Sequence, residues 1–116
     1  VPATTADERW TGEQWVNSCR SRWAPDSIIK VPVAGRAGVP VGASAVVANV
    51  TVVGGPAGGG FVTAFPCGTV PGTSSVNYSG PDAVANEVIV KLSSAGSICV
   101  YARTAVNVIV DVAGSL

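Results

Sequence analysis

The sequence predicts an all-β fold, an antiparallel β-sandwich or small barrel of about seven strands with a short N-terminal helix. Three observations lead there. The 116 residues hold 22 Val against two Leu and no Met, a β-branched excess that suits pleated sheets and penalises helices. Apolar and polar residues alternate with period two through several stretches, most cleanly in VNVIVDV at 106–112, as half-buried strands do. A strand-turn-strand unit also recurs. The run VAN at Val47 to Asn49 returns at Val84 to Asn86, and at the same offset of 37 residues Val53 matches Val90, Gly59 matches Gly96 and Phe61 is answered by Ile98. A threefold β-prism or trefoil is the alternative, because the length is close to three such offsets, although the N-terminal region carries no third VAN.

Two regions follow from the pattern: a Trp-rich N-terminal segment at 1–26 that packs on the domain, and a β domain at 27–116 with internal copies at 45–66 and 82–103. The first holds all three Trp and seven of the fourteen charged residues. Within it, Thr11 and Gln14 have capping-box spacing, and Trp15, Val16, Cys19 and Trp23 fall at i, i+1, i+4 and i+8. That spacing predicts a short amphipathic helix ending before Pro25. Next, SIIKVPV at 27–33 reads as a strand whose Pro32 suits an edge, followed by a Gly/Pro-rich loop at 34–42. From Ala45 on, Val46, Ala48, Val50 and Val52 share one face and Val47, Asn49, Thr51 and Val53 the other. The run GGPAGGG at 54–60 reads as a turn or flexible loop. Further strands are expected at 61–66, 74–78, 84–92, 97–102 and 106–112. Val50, Val88 and Val108 are expected core positions, each on the apolar face of a separate strand.

Composition excludes several functions. Charge is sparse at 12% and balanced at seven acidic and seven basic residues, so nothing gathers polyanions or anionic lipid and nucleic-acid partners are not expected. The apolar runs are too short to span a bilayer as helices, so no membrane insertion is expected. The opening VPATTA carries no signal peptide and reads as the start of a mature or trimmed chain. With no His in the chain, a Ser/His or Cys/His nucleophile has no base. Nothing in the spacing of the seven acids brings two together, so a carboxylate-dependent glycosidase stands as the last of the alternative readings. No phosphate loop, GxSxG or calcium loop occurs. The expectation is a non-enzyme with no cofactor and no metal site.

Two clusters are candidate binding elements. Trp10, Trp15 and Trp23 offer indoles that stack on sugar rings or anchor interfaces, or else plug the helix onto the domain. The polar loop of Thr73, Ser74, Ser75, Asn77, Tyr78, Ser79 and Asp82 is rich in partners for hydroxyls, though NYSGPD is also turn chemistry. Asn49 and Asn86 are expected at equivalent strand positions, as structural carboxamides or as a symmetric ligand site. Three Cys is an odd count. Cys67 and Cys99 both sit at strand edges, so the reading is one disulfide between them with Cys19 left over, against the alternative of three reduced core residues.

From about Val31 onward the chain resembles a Val-rich domain of secreted, cell-envelope-associated proteins of actinobacteria, often found beside peptidoglycan amidases, proteases or glycan-degrading enzymes. The likeness rests on VPVAGRAGVP at 31–40, ASAVVANVTV at 43–52, GFVTAFPCG at 60–68, PGTSSVNY at 71–78, VANEVIVK at 84–91 and VNVIVDVAG at 106–114. The family's usual opening, a run like Arg-Leu-Leu-Asp-Thr-Arg, is replaced here by CRSRWAPD at 19–26, so no binding residue is carried over. The resemblance implies an extracellular or cell-surface, non-catalytic accessory module, and that secreted context favours the Cys67–Cys99 disulfide. Its expected partner is a glycan or cell-envelope polymer, held by exposed Trp and the loop around Asn77 and Tyr78. The competing expectation is a structural or decoration subunit that meets protein neighbours in an extracellular or virion assembly.

Overall fold

The computed structural model describes residues 3–5, 9–11, 14–16, 26–36 and 38–116, the first three segments as backbone with its pairing. The described residues form ten strands: β1 (Ala3–Thr5), β2 (Arg9–Thr11), β3 (Gln14–Val16), β4 (Ser27–Pro32), β5 (Ala45–Val53), β6 (Gly60–Pro66), β7 (Val76–Tyr78), β8 (Val84–Lys91), β9 (Ser97–Ala102) and β10 (Asn107–Ser115). They make two five-stranded sheets, in the orders β1-β4-β9-β6-β7 and β2-β3-β10-β5-β8. Every pairing is antiparallel except the parallel β1–β4 contact. The two sheets stack as a sandwich and do not close into a barrel, and no three-sheet prism forms.

Alternation decides which residues fill the space between the sheets. Ile29, Val31, Val62, Val76, Ile98, Val100 and Ala102 come from the first sheet, and Val46, Ala48, Val50, Val52, Val108 and Val110 from the second, all buried in one cluster. Val50 and Val108 are core residues as expected, while Val88 is only partly buried because β8 is the last strand of its sheet. β10 carries a register shift between Val112 and Gly114, after which its pairing with β5 resumes at Val47. Such a bulge re-aims one strand against its partner without ending the ladder.

Among the described residues the expected N-terminal helix is not seen. Residues Arg9 to Thr11 and Gln14 to Val16 are two strands of an antiparallel pair, with Trp10 opposite Trp15 and Thr11 opposite Gln14. Gln14, Trp15 and Val16 then pair with Asp111, Val110 and Ile109 of β10. A helical repeat of apolar residues over so short a stretch is a weak local preference, and a ladder onto a preformed strand outweighs it. Cys19 and Trp23, the remaining members of that helical pattern, lie outside the described residues.

The duplicated motif is also read differently once the strands are in place. Gly59 and Gly96 both have φ near +78° (78 and 77) just ahead of their second strands, so the turns do correspond. The side chains do not. Asn49 lies opposite Glu87, whereas Asn86 lies opposite the core residue Val50. Directly paired residues share a face, so Asn86 stands on the inward face with Val50 and Asn49 on the outward face with Glu87. The two Asn therefore occupy opposite faces, and Asn86 donates its Nδ2 to the carbonyl of Ser75 at 2.9 Å.

Candidate functional site

The outward face of the first sheet carries the richest cluster of exposed chemistry among the described residues. Asp26 precedes β4 with φ of 57°, a left-handed conformation that Asp tolerates better than most residues. This turn delivers its carboxylate to the far end of β9. Tyr101 lies in β9 on the face opposite Val100 and Ala102, and Arg103 follows the strand with its N–H on the Phe61 carbonyl at 3.0 Å. The Arg103 Nη1 donates to both Asp26 oxygens, at 2.9 and 3.0 Å, and the Tyr101 hydroxyl donates to Asp26 Oδ1. Phe61 packs obliquely on Tyr101, with ring centroids 6.0 Å apart and planes at 49°. Asn77 is exposed directly across the ladder from Phe61.

These contacts set the ionisation of the cluster. The Tyr101 hydrogen bond, helped by the Arg103 charge, holds the Asp26 carboxyl below its ordinary range. The same bond to Asp26, with partial burial, pushes the Tyr101 phenol above its ordinary value. At neutral pH the group is thus a carboxylate, a guanidinium and a neutral phenol whose ring, with that of Phe61, is half-exposed. A carboxylate held ionised by a phenol and a guanidinium is suited to accepting hydrogen bonds. Two aromatic faces framed by donors and acceptors suit a ligand with apolar C–H faces and many hydroxyls.

The candidates from the sequence are divided by the fold. Asn77 joins this face. Tyr78 does not, because in the order Val76, Asn77, Tyr78 the pleat sends every second side chain inward. Tyr78 is 6% exposed, and its hydroxyl is bonded to Thr104 Oγ1 at 2.6 Å, so its ring is a core group and no platform for a ligand. Asp82 is exposed in the loop between β7 and β8. Much of the polar loop is spent on the fold: the Thr73 carbonyl accepts from the Thr63 hydroxyl at 2.6 Å, and Ser75 Oγ accepts from the Ala64 N–H at 2.9 Å. Trp10 and Trp15 are placed only by register, in the second sheet, and Trp23 lies outside the described residues. Cys67 and Cys99 are joined by a disulfide with Cα atoms 4.9 Å apart, tying the loop after β6 to β9.

Phe61, Tyr101, Arg103 and Asp26 escape a reading of the sequence. A signal was present in two of them, since Phe61 and Tyr101 are aromatics on the outward parity of otherwise alternating strands. Comparison with family models, with curated proteins and with solved structures returns no match for this chain.

Proposed function

We propose that the chain is a non-catalytic extracellular module that binds a neutral glycan on the outward face of its first sheet. The observation that carries this reading is the half-exposed Phe61–Tyr101 pair with the Asp26–Arg103 ion pair at its side. Rings of that kind stack on sugar C–H faces, while a carboxylate, a guanidinium and the Asn77 amide exchange hydrogen bonds with hydroxyls. The balanced charge of seven against seven favours a neutral polymer over a polyanion. The likeness of residues 31–114 to secreted, cell-envelope-associated domains supports a position outside the cell, and a disulfide fits an oxidising compartment. No helix among the described residues is long and apolar enough to cross a membrane.

Titration with cell-wall and plant polysaccharides tests the proposal, followed by calorimetry on Phe61→Ala and Arg103→Gln. The expected result is weak, salt-insensitive binding without turnover, reduced about tenfold or more in Phe61→Ala at an unchanged melting temperature. Binding that survives both substitutions, or a parent protein that takes up none of the polymers, overturns it.

A further inference from the structure

The geometry points to a second binding surface, the free edge of β8, whose occupant is a second copy of this chain. β8 closes the second sheet on one side, with β5 as its only ladder partner among the described residues. Its eight residues make it long for an edge strand, and Ala85, Asn86, Glu87, Ile89 and Lys91 are all exposed, Ile89 to 68%. A long exposed edge is a template for another strand unless something blunts it.

The direction of the free backbone groups follows from one hydrogen bond. The Leu92 N–H donates to the Ser44 carbonyl at 2.9 Å, in line with the Ala45–Lys91 register. In an antiparallel ladder the two groups of one residue point the same way, and those of the next residue point oppositely. The even-numbered residues of β8 therefore spend their N–H and C=O groups on β5. Those of Ala85, Glu87, Ile89 and Lys91 are directed away from β5, toward the open side. Among the described residues, neither the Glu87 nor the Lys91 side chain has an ion-pair partner in its own chain.

The order of side chains makes this edge complementary to itself. When a second β8 is laid antiparallel about a twofold axis at Ile89, Ile89 meets its own copy, Glu87 meets Lys91 of the other chain, and Lys91 meets Glu87. All three are residues whose backbone groups face the open side, so each pairing is also a hydrogen-bonded one. Opposite charges across a ladder favour pairing and like charges oppose it. A twofold at position 87 would set Glu87 against its own copy, and one at position 91 would do the same for Lys91. The charges thus select the register as well as the partner. The product is a C2 dimer whose second sheets run continuously through the interface.

Sedimentation equilibrium of the full chain, repeated with charge variants, decides the matter. Glu87→Lys and Lys91→Glu are each expected to weaken dimerisation by about tenfold or more, since each replaces two attractive pairs by two repulsive ones. The double variant, with the charges exchanged, recovers the dimer. So does an equimolar mixture of the two single variants, because an edge with lysine at both positions then faces an edge with glutamate at both. Circular dichroism melts of each variant establish that it is folded. A parent that stays monomeric at millimolar concentration overturns the proposal, as do single variants that dimerise like the parent or a double variant and mixture that stay monomeric. Phe61→Ala leaves this edge untouched, so loss of glycan binding and loss of dimerisation are separately readable.

Discussion

Tyr78 and Tyr101 have the same side chain and opposite employment, and strand parity alone separates them. Tyr78 points inward, where the glycine-rich run after β5 is shaped around it. A Cβ on Gly55 would lie 2.6 Å from the Tyr78 ring and 2.9 Å from the Gly80 carbonyl oxygen. That run is therefore a fitted cover for the ring. Gly55→Ala should cost about 1 to 3 kcal/mol, read as a lowered urea midpoint at constant slope. Tyr101 points outward, where its bond to Asp26 gives the molecule a pH signature. The depressed carboxyl of Asp26 contributes stability above its unfolded pKa of about 3.9 and loses it as pH falls through the folded value. The raised phenol of Tyr101 contributes below its unfolded pKa of about 10 and loses it as pH rises through the folded value. Carbon-detected NMR titration should place the Asp26 inflection below the ordinary carboxylate range and move it upward in Tyr101→Phe. An unmoved inflection would show that the hydrogen bond does not set it.

At the scale of strands, burial grades the cost of truncation. Val50 on β5 and Val108 on β10 lie in the centre of the second sheet at 0% exposure, while Val88 on β8 lies at its margin. Val50→Ala and Val108→Ala should each cost about 1 to 3 kcal/mol, and Val88→Ala clearly less, because an edge cavity opens to water. Equal midpoints in chemical denaturation for all three would contradict that ranking. The alternation of Val made β5, β8 and β10 legible in the sequence to within a residue or two of their bounds, apart from the bulged end of β10, and the short apolar runs after glycine turns did the same for β6 and β9. What was not legible depended on partners remote in the chain. β3 takes its form from β10, at the far end of the sequence, so the local spacing of Trp15 and Val16 spoke for a helix that the ladder overrules. The Asp26–Arg103 pair spans 77 residues and exists only because β4 lies beside β9. The Asn86 position likewise depended on the β5–β8 register, which sets it opposite the core residue Val50. The disulfide was expected from two cysteines at strand edges and a secreted context, and the bond is present, although Cys67 stands in the loop just after β6 and Cys99 inside β9.

For the molecule as a whole, the sandwich is stitched by connections that pass from one sheet to the other. β4 leads into β5, β5 into β6, β7 into β8, β8 into β9 and β9 into β10, each time changing sheets. The Cys67–Cys99 bond adds a covalent closure across 32 residues. In the chain-entropy view its reduction should cost about 3 to 4 kcal/mol, measured as a drop in unfolding free energy between oxidised and reduced protein. The same bond has a mechanical meaning. When the chain is pulled by its two ends, tension enters at Cys67 and leaves at Cys99 through the sulfurs, so β7 and β8 never bear load. With optical tweezers the oxidised protein should unravel to a contour shorter than the reduced one by roughly 110 Å, the extended length of the shielded segment. The strand proposed to join a second copy thus lies inside a covalent loop, and pulling one chain by its ends cannot strip β8 out of an oxidised protomer until the disulfide is reduced.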